Sequence, residues 1–116
     1  MLTSAAKNKG RKLQQLVRDT VLKYLPELTE NDVRSTSMGA PGEDILLSEK
    51  ALQVFPFSVE CKARKELAIE PWFKQTKDNC KPGLTPLLIV KANYHTPKVI
   101  MDLDDFMRLH ESYTNR

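Results

Sequence analysis

The sequence has no apolar run approaching the length of a membrane span, and its N-terminus carries no apolar segment of the kind that directs secretion. A cytoplasmic protein with no membrane partner is therefore expected. Cysteine is scarce. Cys61 and Cys80 lie nineteen residues apart, and without a secretory segment they are expected to be free thiols in a reducing compartment. No Cys-x-x-Cys is present, and His95 and His110 are scattered, so the spacing gives no zinc site. Net charge is only +3, which by itself excludes no class of partner. Linkers and internal repeats are also missing. With 116 residues, 41% hydrophobic and 28% charged, the expectation is one compact domain over residues 1–116.

The distribution of charge says more than its sum. Lys7, Lys9, Arg11 and Lys12 fall in the first twelve residues with no acid among them, while Asp102, Asp104 and Asp105 cluster late. Residues 1–9 read as a basic, flexible arm that could meet phosphate.

Apolar residues from Leu13 to Leu25 recur at helical spacing, which predicts an amphipathic helix starting near Gly10 and stopped by Pro26. Val33 to Met38 reads as a short edge strand, and Gly39-Ala40-Pro41-Gly42 as a turn. Asp44 to Ser48 reads as a strand, and Glu49 to Pro56 as the connection to the next one. Phe57 to Lys62 is a third strand, expected to pair with the second as its neighbour. A helix is expected from Pro71 to about Asn79. The run Leu87-Leu88-Ile89-Val90 predicts a strand covered on both faces. Lys98 to Leu103 forms another strand, and Asp102 or Asp104 caps a last helix that gathers Phe106, Leu109, His110 and Tyr113 on one face. The order is helix, three strands, helix, two strands, helix: an α/β fold with a mixed sheet flanked by helices.

The third strand is unusual. Side chains alternate along it, so Phe57, Val59 and Cys61 share one face and Ser58, Glu60 and Lys62 the other. A carboxylate and an ammonium on a core strand are costly unless paired or bound to an ion. Asp44 stands sixteen residues before Glu60, just after a glycine-rich turn, and Gln75 lies on the following helix. Two carboxylates and a lysine are what metal-assisted phosphodiester hydrolysis requires. Mg²⁺ prefers oxygen ligands and usually takes only one or two protein carboxylates. Asp44 and Glu60 would supply these, with the backbone carbonyl of Cys61 as a third oxygen. Lys62 would orient or help deprotonate the attacking water, or stabilise developing charge, and Gln75 would hydrogen-bond the lysine or the water.

Gly42-Glu43-Asp44, Glu60-x-Lys62 and Gln75 resemble the PD-(D/E)xK nuclease superfamily, whose restriction-endonuclease-like core has the order of elements read above. Within it the chain looks most like the small phage and archaeal Holliday junction resolvase-like endonucleases. Lys9-Gly10-Arg11-Lys12, Thr85-Pro86 and Asp104-Asp105-Phe106 carry that likeness. Glu43 stands where the superfamily has proline before the first acid, and Gln14 and Gln15 fall where those resolvases often have a glutamate. The resemblance implies a Mg²⁺-dependent DNA endonuclease, with Mn²⁺ as a substitute metal, acting on four-way junctions or other branched DNA. It further implies a homodimer in the cytoplasm of a bacterial or phage-infected cell. Arg64, Lys65 and Lys74 flank the site and join Lys7, Lys9, Arg11 and Lys12 as candidate DNA contacts. The alternatives are a flap, nicking or general DNA nuclease of the same superfamily, and a DNA-binding module that retains the fold without cleaving.

Overall fold

The computed structural model describes residues 3–37 and 42–115. Met38 and the expected turn residues Gly39, Ala40 and Pro41 lie outside them. Helix α1 spans Ser4–Tyr24, and the Thr3 hydroxyl accepts a hydrogen bond from the Ala6 N–H at 3.1 Å. That cap satisfies one of the four N–H groups a helix start leaves unpaired. The basic stretch expected as a flexible arm is thus helical from Ser4 onward. A capping threonine followed by Ser-Ala-Ala opens a helix readily, and nothing before Gly10 breaks it. Leu13, Gln14, Val17 and Val21 make the buried stripe, and the helix ends at Leu25, just ahead of Pro26.

Two short strands follow, β1 (Val33–Ser35) and β2 (Ile45–Leu47), paired antiparallel. The expected β2–β3 pairing does not form as a ladder. Strand β2 is three residues long and β1 takes its register, so the link to β3 (Phe57–Arg64) is the Asp44 N–H donating to the Val59 carbonyl at 2.8 Å. Between β2 and β3 the chain makes a short helix, α2 (Glu49–Val54), where a plain connection was expected. Ser48 caps it, accepting from the Ala51 N–H at 3.1 Å while donating to Asp32 Oδ1 at 2.7 Å. Ala51 is fully buried beneath it.

Strand β3 pairs in parallel with β4 (Thr85–Ala92), the crossover being α3 (Ile69–Asp78). Pro71 sits inside the first turn of α3, where a backbone N–H has no helical partner to lose. Strand β5 (Lys98–Ile100) closes the sheet antiparallel to β4. It stops short of the expected Leu103 because Asp102 turns the chain into α4 (Leu103–Thr114). Val59, Cys61, Ala63, Leu87 and Ile89 face α1, whereas Leu88 and Val90 face Phe73 of α3. The four-residue apolar run is therefore covered on both faces, as its composition requires. The result is an α/β, restriction-endonuclease-like fold: a mixed three-stranded sheet and an antiparallel pair flanked by four helices. No residue of α4 is buried, and the two core clusters among the described residues include none of its side chains.

Candidate active site

The site forms at the outer edge of β3, the side that β4 does not occupy. Gly42 takes a φ of 90°, a conformation that glycine adopts without strain, and delivers Glu43 and Asp44 to that edge. Asp44 is held there twice. Its N–H donates to the Val59 carbonyl, and its Oδ2 accepts from the Cys61 N–H at 2.7 Å. Glu43 is buried and pairs with Lys81 at 2.6 Å, anchoring the turn to the loop between α3 and β4. Where the superfamily has proline to stiffen this turn, an ion pair holds it.

Glu60 is 3% exposed. Its Oε1 accepts from Asn79 Nδ2 at 2.8 Å, and the Asp44 carboxylate is its acidic neighbour. Two neighbouring acids disfavour each other's ionisation. Burial, followed by the Asp44 charge, pushes the Glu60 carboxyl up to about 7 against the pull of Asn79 and Lys62. Burial also raises Asp44, opposed by the Cys61 N–H, Glu60 and Lys62. Without a cation, then, this is a carboxyl pair that retains a proton near neutrality. Lys62, half-buried and two residues along the strand, contributes its charge to both.

This chemistry suits a hard divalent cation: two adjacent carboxylates, one of them reluctant to ionise until positive charge arrives. Among the described residues no group of three or more His, Cys, Asp or Glu is poised to hold a metal. A two-carboxylate site agrees with the way Mg²⁺ is usually held, with water and phosphate oxygens completing its shell. Gln14 adds a further observation. It is 3% exposed on α1, and its Oε1 is buried without a hydrogen-bond partner among the described residues. Gln15 is exposed.

The remaining sequence candidates fall as follows. Gln75 is exposed on α3, and the side chain that reaches Glu60 from that helix is Asn79, one turn later. The buried positions Phe73 and Thr76 mark the face of α3 turned to the sheet, and three residues beyond Thr76 the same face arrives at Asn79. That periodicity was the signal for Asn79. The Cys61 side chain is buried against α1, and burial raises its thiol well above the ordinary value. Cys61 and Cys80 are both free. Arg64 lies over the Trp72 ring, 6.0 Å from its centroid, and Lys74 pairs with Asp78 at 2.9 Å. Lys65, Lys7, Arg11 and Lys12 are exposed, and Lys9 donates to Asn93 Oδ1 at 3.0 Å.

A parallel strand carrying Glu-x-Lys, with an aspartate latched against its free edge, fits the PD-(D/E)xK nuclease class. Residues 5–115 match the family described as "Phage putative PDDEXK endonuclease", and the chain belongs to that family. No curated protein and no solved structure matches the chain. PD-(D/E)xK nucleases generally use divalent metal ions. No helix among the described residues is long and apolar enough to cross a membrane.

Proposed function

We propose that the protein is a Mg²⁺-dependent, structure-selective DNA endonuclease, with four-way junctions as its favoured substrate and Mn²⁺ as a substitute metal. The observation that carries the reading is the Asp44–Glu60 carboxyl pair beside Lys62. Asp44 and Glu60 hold the ion. The Cys61 carbonyl joins them, because N–H and C=O of one residue leave an extended strand on the same edge and the Cys61 N–H already points to Asp44. The ion, when bound, supplies positive charge against the phosphoryl oxygens and acidifies water. Lys62 orients the attacking water and stabilises charge on the phosphoryl group. Gln75, exposed on α3, assists once DNA is bound. Arg64, Lys65 and Lys74, together with the lysines and arginine of α1, meet backbone phosphates.

Junction resolution needs two cuts in strands of like polarity, which a two-fold homodimer supplies. Helix α4 supports such an assembly. Leu103, Phe106 and Met107 are 73%, 50% and 49% exposed on it. An apolar groove of about 570 Å³, lined by residues including Leu16, Val54, Leu87 and Val99, opens on the α1 side of the sheet. Helix α4 begins on the other side, where Asp102 pairs with Lys77 of α3 at 3.1 Å. In this reading the groove takes α4 of a second copy, the Lys98 charge at its rim suiting the acidic first turn of that helix.

The test is cleavage of a supercoiled cruciform plasmid with and without Mg²⁺. Paired cuts should give linear product with little nicked circle, and Glu60→Gln and Lys62→Ala should both abolish it. Undiminished cutting by Glu60→Gln overturns the site. Nicked circles alone favour a nicking or flap nuclease. Tight DNA binding with no cleavage under any divalent ion leaves a binding module.

A further inference from the structure

In the turn between β4 and β5, Tyr94 takes a φ of 64°, and its side chain is 100% exposed. A left-handed backbone is disfavoured for a residue with a Cβ, and a wholly exposed ring returns no burial energy. Neither turn geometry nor packing accounts for tyrosine here. Strain of this kind collects where a ligand is met.

The surroundings identify the ligand. Tyr94 borders an open cavity of about 450 Å³ on the α1 side of the sheet, to which Lys9 and Lys12 come from α1 and Lys91 from the end of β4. Every charged side chain lining it is a cation. Leu13, Leu16 and Ala63 form an apolar floor. The Lys9–Asn93 hydrogen bond ties α1 to the turn, so α1, β3, β4 and the turn together form the cavity. Cations for phosphate, an open aromatic face and an apolar floor are the parts of a site for a nucleotide whose base is free to stack. A paired base is already stacked on both faces within its duplex and presents only an edge.

We propose that this pocket binds an unpaired DNA nucleotide, its base on the Tyr94 ring and its phosphates on Lys9, Lys12 and Lys91. The proposal rests on the nuclease reading and narrows its substrate class to DNA with unpaired nucleotides near the cut. Ala63 follows Lys62 in β3 but faces the opposite side of the sheet. A strand that engages both the pocket and the carboxyl pair must leave the path of a straight duplex, as it does at a fork, a flap or an open junction.

The test is binding in EDTA, where no cleavage intervenes. A forked duplex with 2-aminopurine in its unpaired arm is compared with a blunt duplex of the same sequence. Tyr94→Asn removes the ring while suiting the left-handed turn, and Tyr94→Phe keeps the ring. Wild type and Tyr94→Phe should prefer the fork and quench the 2-aminopurine. Tyr94→Asn should lose about tenfold in fork affinity and most of the quenching, with blunt-duplex affinity within about twofold of wild type. Lys91→Gln should weaken fork binding and reduce its salt dependence. Equal weakening on both substrates, or quenching that survives Tyr94→Asn, overturns the pocket. Plasmid cleavage by the same preparations separates the two readings: cleavage without fork preference sinks only the pocket, and fork preference without cleavage sinks only the nuclease.

Discussion

Asn79 Nδ2 donates to Glu60 Oε1 at 2.8 Å, joining the end of α3 to the middle of β3. The bond restrains the carboxylate and favours its ionised form, opposing burial and the Asp44 charge. Asn79→Leu should therefore lower kcat/KM about tenfold, the scale of a lost hydrogen bond to a charged group. It should also move the acid limb of the pH–rate profile to higher pH. A profile that only drops, without moving, would assign Asn79 a purely structural part.

Stability without metal should depend on pH in an unusual direction. Folded Glu60 keeps its proton up to about pH 7, whereas the ordinary value for the group is 4.5. Between those values the folded state binds more protons than the unfolded chain, so stability falls as pH rises. The loss by pH 8 should be on the order of 2 kcal/mol. Thermal melts in EDTA at pH 5 and pH 8 should show the drop in wild type and a smaller one in Glu60→Gln. Parallel curves for the two proteins would contradict it.

The Glu43–Lys81 pair should act at one remove. Lys81→Met leaves Glu43 buried without its cation, and removing one partner of such a pair is strongly destabilising when both are buried. Lys81 is 60% exposed, so the cost here should be smaller, about 1 kcal/mol. Because Asp44 is the next residue, the variant should need more Mg²⁺ for half-maximal cleavage. Rescue by Lys81→Arg would place the effect in the charge.

Helix α1 should set the salt dependence of DNA binding. Replacing Lys7, Lys9, Arg11 and Lys12 with glutamine should flatten the slope of log affinity against log salt by roughly 0.7–0.9 for each phosphate that is no longer neutralised. Lys9 and Lys12, which line the Tyr94 cavity, should account for most of the change on forked DNA. A slope that does not change would make the α1 charges plain surface.

The parts of this protein that could be read in advance are those where a local rule and the tertiary structure agree. The stripe of α1, the alternation of β3 and the doubly covered run of β4 each follow from where apolar residues must go. Asp44 was readable because a glycine turn and a strand start leave few conformations for the residue between them. Helix α2 escaped because six residues carry little periodicity, and its cap, Ser48, is held by Asp32 from a distant turn. Asn79 was displaced by Gln75 because the rotation of α3 about its axis is fixed by Phe73 and Thr76 packing on the sheet, not by the helix's own start. The pocket at Tyr94 depends on α1 beginning at Ser4, which carries Lys9 to Asn93; a flexible arm gives no such meeting.

Asp44 has a second consequence, for solubility. Among the described residues the outer edge of β3 has no ladder partner, and unpaired strand edges recruit other chains. Here the backbone N–H of Asp44 takes up the Val59 carbonyl and its carboxylate takes up the Cys61 N–H, so the residue proposed to hold the ion also occupies the edge. Replacing it with alanine would leave the Cys61 N–H bare and invite edge-to-edge association. An inactive protein for binding work is better made with Asp44→Asn, whose side-chain carbonyl can still accept that bond.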